Sequence, residues 1–384
     1  MKIGSRVVHI GSEPNLKKGG TGDVVVPIHL STTFARTDVY TPTAGLEYSR
    51  SGNPTRFALE KNLASLEEGN FAFAYSSGLS ATTNILLLLE KGDHIISIDD
   101  VYGGTRRLFK KVFEKFGLEF DFVDFKKGEQ LKDYIKENTK VIWLESPTNP
   151  LMKVADIASI TKIAKSKNIL TVVDNTFASP IFQKPLTLGA DIVVHSMTKY
   201  LGGHSDVVGG AVIVRDKVLA EKIGFLQNAV GGILSPFDSY LVLRGIKTLE
   251  VRMLKHEQNA KKIIDFLKGN KKVKKIYYPG LTSHPGHEIA KKQMLGFGAM
   301  LSFEIVGDLK TTIKFIESLK LISIAESLGA VESLIEHPAS MTHASVPEED
   351  RKKIGLSDTL IRLSIGIEDP EDLINDLEEG LKKV

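Results

Sequence analysis

The chain has 384 residues, 42% hydrophobic and 25% charged, the balance of an ordinary globular protein and a length that predicts two domains. Its 50 basic and 47 acidic residues are interspersed to a net charge of +3, with no basic block of the kind that tracks nucleic acid and no acidic tail. Cysteine is absent, which excludes disulfides, thiolate catalysis and cysteine-ligated zinc; no run reaches signal-peptide or transmembrane character, so a cytoplasmic location is expected.

Residues 1 to about 50 lack periodicity and are rich in Gly, Thr, Ser and Pro, as in Gly19-Gly-Thr-Gly22. Such a segment buries its own backbone poorly, so it is expected to lie as an arm across another surface, a second subunit for instance. From Thr55 to Glu68 apolar residues fall at helical spacing, with Gly69 as the stop. A regular alternation follows. Strands are predicted at 71–75, 94–98, 119–123, 141–145, 169–173, 192–194 and 210–214, with helices at 79–91, 106–116, 130–138 and 157–167 between them. Short, continuously apolar strands interleaved with amphipathic helices predict an α/β fold with a mostly parallel sheet covered on both faces. Residues 237–268 read as one long connecting helix. Beyond it, strands at 274–278, 299–305 and 360–365 and helices at 312–319 and 371–381 predict a smaller α+β C-terminal domain. The expected division is therefore an arm over 1–50, a large domain over 51–236 and a connector with C-terminal domain over 237–384.

Ligands in parallel sheets gather at the carboxyl ends of the strands. One such end is Asp191-Ile-Val-Val-His-Ser-Met-Thr-Lys-Tyr-Leu-Gly-Gly-His204, where an apolar strand delivers Lys199 into a turn of hydroxyls and glycines. Another is Asn168-Ile-Leu-Thr-Val-Val-Asp-Asn175, which ends on Asp174. A lysine able to form an imine and an aspartate on a neighbouring strand tip are what pyridoxal phosphate needs; a surface lysine beside a strand-ending aspartate is the plain alternative. In Tyr75-Ser-Ser-Gly-Leu-Ser80 a strand ends and a helix begins, so the amides of Gly78 and Leu79 suit a phosphate, with Ser196 and Thr198 as added hydroxyl donors. The same serines would equally cap a helix. Tyr102, beside Gly103 and Gly104, is either a flat partner for a pyridine ring or a turn tyrosine packed on the sheet edge. Arg362 interrupts the apolar strand Leu360-Ile-Arg-Leu-Ser-Ile-Gly366 and reads as a clamp for a substrate carboxylate. A structural ion pair is the rival, but no mate stands near it in sequence. There is no Gly-Lys dipeptide for a Walker loop and no G-x-G-x-x-G after the first strands. The histidines are scattered, so no metal site is expected.

Taken together, Tyr48-Ser-Arg-Ser-Gly-Asn-Pro-Thr55, Ser76-Ser-Gly78, Tyr102-Gly-Gly104, Glu145-Ser-Pro-Thr-Asn-Pro150, Val173-Asp-Asn-Thr-Phe177, His195 to His204 and Arg362 to Gly366 resemble the Cys/Met-metabolism family of pyridoxal-phosphate enzymes. The resemblance spans nearly the whole chain. It implies fold type I and pyridoxal 5'-phosphate attached to Lys199, which then shuttles protons. It further implies Asp174 at the pyridinium nitrogen, Tyr102 stacked on the ring, and Gly78, Leu79, Ser196 and Thr198 at the phosphate. Tyr48 and Arg50 would reach the phosphate of the neighbouring subunit, within a homotetramer of two such dimers. Asn149, Ser327 and Arg362 would bind the substrate carboxylate. Leu79 stands where many relatives have methionine, a mild departure, because the amide is what matters there.

By the same resemblance the substrate is a small amino acid and the reaction lies at its γ carbon. Gly104 stands where methionine γ-lyases resemble one another in having cysteine, which argues against that activity. Glu47 and Glu326 match acidic residues that cystathionine-handling members place near the distal ammonium, where a charge-assisted hydrogen bond would form; rim glutamates facing water are the alternative. The expectation is a cystathionine γ-synthase or γ-lyase, with an O-acylhomoserine sulfhydrylase as its chemical rival and a non-catalytic fold type I scaffold as the rival of another class.

Overall fold

In the computed structural model, which describes residues 1–344, 349, 351 and 354–384, two sheets share the chain. The first is built from β1 (Phe71–Tyr75), β2 (His94–Ile98), β3 (Glu119–Val123), β4 (Thr139–Glu145), β5 (Leu170–Asp174), β6 (Ile192–Ser196) and β7 (Gly210–Val214), in the order β1-β7-β6-β5-β4-β2-β3. Only β7 runs against its neighbours; the other pairings are parallel. Every residue of β2 and β7 is buried, as expected of strands covered on both faces. The second sheet, β8 (Val273–Tyr277), β9 (Met300–Ile305), β10 (Ser323–Ile324), β11 (Leu334–Glu336) and β12 (Leu360–Ser364), has the order β10-β11-β12-β9-β8. All its pairings are antiparallel except β10 with β11.

Side-chain caps decide where the helices begin. Asn53 accepts from the amides of Thr55 and Arg56 at the head of Pro54–Leu66, and Ser77 accepts from Ser80 at the head of Gly78–Leu86. The predicted strands fall within two residues of the observed ones, and the helices around the sheet are mostly where periodicity put them. Four places differ. The segment 130–138 is a single 3-10 turn, Gly128–Leu131, followed by turns rather than a helix. Its backbone is claimed by the sheet: Asn138 C=O accepts from His94 N–H of β2 at 2.8 Å, and Thr139 Oγ1 accepts from Lys136 N–H at 2.8 Å. The long connector is two helices, Pro236–Ile246 and Leu249–Gly269. Arg252 donates to Tyr200 C=O (2.8 Å) and Gly245 C=O (2.9 Å), which seats the second helix on the turn that follows β6. A helix at Lys217–Val230, capped by Asp216 and ended by Gly231 at φ +83°, was not expected from periodicity. Within the irregular N-terminal segment, Ile3–His9 is a helix pinned by the buried Val7.

Among the described residues, no helix is long and apolar enough to cross a membrane, and no group of histidines and acids is placed to hold a metal ion.

Candidate active site

The carboxyl ends of β4, β5 and β6 meet the Ala325-Glu-Ser-Leu-Gly329 segment and β12 of the second sheet around a cavity of ≈ 370 Å³. Gly78, Leu79, Tyr102, Asn149, Asp174, Ser196, Thr198, Lys199, Glu326, Ser327 and Arg362 all line it. A larger hollow of ≈ 630 Å³, rimmed by Lys126, Lys268 and Lys274, contains none of these groups.

Lys199 is held at the centre. Its Nζ donates to Ser327 Oγ at 2.7 Å. Burial, and then the positive charge of Arg362, lower its pKa from 10.5 to about 8, against the pull of Glu336 and Glu326. Ser327 has φ +81°, a left-handed conformation seldom taken by a residue with a Cβ, so its hydroxyl is presented by a strained backbone. The Ser327 carbonyl in turn accepts from Arg362 Nη2 at 2.6 Å.

Two carboxylates stand side by side where β4 meets β5, since Glu145 and Asp174 are paired in register. Asp174 Oδ1 accepts from Thr176 N–H at 2.9 Å, and Glu145 Oε2 accepts from Tyr102 N–H at 2.9 Å. Burial pushes the Asp174 carboxyl up, against its Thr176 bonds and the charge of His195. Burial, and next the charge of Asp174, push Glu145 well above the carboxylate range. Behind them Glu67 accepts from His195 Nε2 (2.6 Å) and Asn175 Nδ2 (2.7 Å), bracing the carboxyl ends of β5 and β6.

The opposite wall begins at Gly78. The cap at Ser77 uses the amide of Ser80, which leaves those of Gly78 and Leu79 without an acceptor among the described residues. A Cβ on Gly78 would lie 3.1 Å from Ser196 Cβ, so a side chain there would crowd this helix against β6. Thr198 Oγ1 accepts from Gly209 N–H at 3.0 Å. The Tyr102 ring lies over Gly104, where a Cβ would come within 2.4 Å of Tyr102 Cε1. Burial raises its phenol, which therefore stays neutral.

Asn149 is fixed from behind. Asp100, buried at the end of β2, accepts from Thr148 Oγ1 (2.5 Å) and Leu151 N–H (3.1 Å), anchoring the loop between them, and burial raises its pKa to about 6. Asn149 Oδ1 accepts from Arg362 Nη1 at 3.1 Å. Arg362 does have an ionic mate: Glu336 Oε1 lies 3.0 Å from Nη1, with both side chains buried. The expectation that none was near holds only along the chain, because 26 residues separate the two. Glu145, Thr176, Thr342 and Glu336 are among the polar residues of the site that sequence reasoning missed. Glu145 and Thr176 lie within motifs that carry the family resemblance, whereas nothing local marks Glu336.

Three expected residues lie apart from this cavity in their own chain. Glu47 pairs with Arg36 at 2.7 Å, Arg50 donates to Asn228 C=O at 2.7 Å, and Tyr48 is 48% exposed beneath the Arg50 guanidinium.

A buried amine of lowered pKa, free amides at a helix start and two crowded carboxylates fit a ring that is anionic at its phosphate and cationic at its nitrogen. Those are the features of pyridoxal phosphate, and they define a fold type I enzyme of the kind that binds it. The chain belongs to the Cys/Met metabolism PLP-dependent enzyme family, whose sequence profile matches residues 5–382. It is 53% identical over 381 residues to a cystathionine beta-lyase of Coxiella burnetii, covering 99% of this chain and 97% of the relative. It is 51% identical over 382 residues to a cystathionine gamma-lyase of Dictyostelium discoideum, covering 100% and 98%. The crystal structure of cystathionine gamma-lyase from Lactobacillus plantarum superposes with a TM-score of 0.96 at 48% identity, covering 100% of this chain and 99% of that one. Pyridoxal 5'-phosphate is thus the cofactor, and the chain is a trans-sulfuration enzyme of sulfur amino-acid metabolism.

Proposed function

We propose that the protein cleaves cystathionine at its γ carbon, releasing cysteine, 2-oxobutanoate and ammonia. The observation that supports a pyridoxal-phosphate enzyme on an amino acid with a distal ammonium is the Lys199 amine, 2.7 Å from Ser327 Oγ, in one cavity with Asp174, Tyr102, Arg362 and Glu326; the choice of the γ carbon follows the family resemblance. When bound, pyridoxal phosphate supplies an electron sink for negative charge at the substrate's Cα. The Gly78 and Leu79 amides with Ser196 and Thr198 hold its phosphate, Asp174 its ring nitrogen, and Tyr102 its face. Lys199 Nζ, its pKa lowered to about 8, is suited to take and return protons at the substrate's Cα and Cβ near neutral pH. Arg362, Asn149 and Ser327 hold the α-carboxylate, and Glu326 meets the distal ammonium. Glu47, Tyr48 and Arg50 complete the site of a second copy. The exposed Leu16, Val24, Leu30 and Val39 of the N-terminal arm support such an association, and a homotetramer in the cytoplasm follows the resemblance.

Cleavage at the β carbon, giving homocysteine, pyruvate and ammonia, is the second reading; identities of 53–55% to relatives named cystathionine beta-lyase favour it. Synthesis of cystathionine from an O-acylhomoserine and cysteine is the third. A solved cystathionine gamma synthase from Xanthomonas oryzae pv. oryzae, 43% identical with a TM-score of 0.96 and covering 100% of this chain and 98% of that one, supports it. Incubation with cystathionine, and separately with cysteine plus O-acetyl- or O-succinylhomoserine, decides among them. The expected product is 2-oxobutanoate. Pyruvate in its place moves the assignment to the β carbon, net cystathionine makes the enzyme a synthase, and no conversion in either direction refutes the assignment altogether.

A further inference from the structure

Arg362 is the one fully buried guanidinium facing the cavity among the described residues, and its donors can be accounted for one at a time. A guanidinium has five N–H groups. Nη1 donates to Asn149 Oδ1 at 3.1 Å and stands 3.0 Å from Glu336 Oε1 as an ion pair, and Nη2 donates to the Ser327 carbonyl at 2.6 Å. Nε is buried with no partner, and the second Nη2 hydrogen has none among the described residues. The Nη2 hydrogen is thus the donor left for a substrate carboxylate, while the buried Nε is closed off from it.

What fixes the other end is Glu336. It is fully buried on β11, directly across from Arg362 on β12. Its Oε1 also accepts from Thr342 Oγ1 at 2.9 Å, and Thr342 itself lines the cavity. A guanidinium buried without an anion would be strongly disfavoured, and one paired only through backbone carbonyls could swing between partners. The carboxylate keeps Arg362 charged and in one orientation before any substrate arrives.

We propose that Glu336 is a positioning residue for substrate recognition: by its ion pair with Nη1 it holds Arg362 charged and in one orientation at the cavity wall, ready for the amino-acid substrate. It thereby sets the preference for a free α-carboxylate over an uncharged group. The inference rests on the assignment of Arg362 as the carboxylate clamp. Glu336 is not among the residues that line the cavity, so its effect is on selection of the ligand rather than on the seating of the cofactor.

The test titrates wild-type, Glu336→Gln and Thr342→Val holoenzymes with glycine and with glycinamide, following the visible band of the bound cofactor. The ratio of the two dissociation constants measures carboxylate preference. Wild type is expected to favour glycine strongly. Loss of the charged partner in Glu336→Gln should reduce that ratio about tenfold, through weaker glycine binding at unchanged glycinamide and cofactor affinity. Thr342→Val, which leaves Arg362 and Glu336 in place and is expected to fold normally, should reduce it about threefold. A ratio as high as wild type in both variants overturns the role of Glu336. A wild-type ratio near one instead removes Arg362 as the clamp, and the inference falls with it.

Discussion

Replacing Lys199 with methionine keeps an unbranched side chain and removes the amine. The buried amine titrates at about 8 rather than 10.5, a gap of about 2.5 pH units. At 1.36 kcal/mol per unit, charging it in the folded chain costs about 3 kcal/mol relative to the unfolded chain. The bond from Nζ to Ser327 Oγ offsets about 1 kcal/mol of that. The apoprotein of Lys199→Met should therefore be about 2 kcal/mol more stable than wild type at pH 7. The sign follows from proton counting. Below pH 8 the amine is charged in both folded and unfolded chains, and the penalty is complete. Between pH 8 and 10.5 the unfolded chain binds the extra proton, so wild type gains stability as pH rises; above 10.5 the penalty is gone. Thermal melts of both apoproteins across this range isolate the residue, because every other titrating group is common to the two. The gap between them should close, and slightly reverse, as pH rises. Parallel curves, or a wild type more stable at pH 7, would refute the reasoning. Added pyridoxal phosphate should leave Lys199→Met without the visible band of the attached cofactor.

Gly104→Ala places a methyl group 2.4 Å from Tyr102 Cε1, so the ring must turn away; cofactor affinity should fall three- to tenfold with little change in melting temperature, as read by fluorescence titration. An unchanged affinity would mean that Tyr102 does not stack. Trp143, fully buried in β4 and 5.4 Å from Phe109 in an edge-on contact, anchors the core of the first sheet. Trp143→Ala should cost about 3–5 kcal/mol in urea unfolding, and a loss below about 1 kcal/mol would show that the core collapses around the vacancy.

The strands of the first sheet were legible because each is a short run of apolar residues bounded by turn formers, a property of the run itself. Lys199, Asp174 and Gly78 were legible for the same reason: each lies at or just beyond a strand end or opens a helix, and a parallel sheet brings such positions to one edge. Where local pattern met a competing claim on the backbone, it lost. The segment 130–138 has helical spacing, yet β2 takes its last carbonyl. Residues 237–268 have one continuous period, yet Lys247 and Thr248 interrupt it so that Arg252 can reach the turn carrying Tyr200.

The sequence by itself determined which chemical groups the protein has and, through motif order, the family that uses them. Only tertiary structure decided how those groups act on one another. Glu336 meets Arg362 because β11 pairs with β12, Glu145 crowds Asp174 because β4 pairs with β5, and Ser327 reaches Lys199 across 128 residues of chain. The physical reason is that charge and hydrogen bonding act over a few ångströms of space, whereas sequence patterns report only neighbours along the backbone.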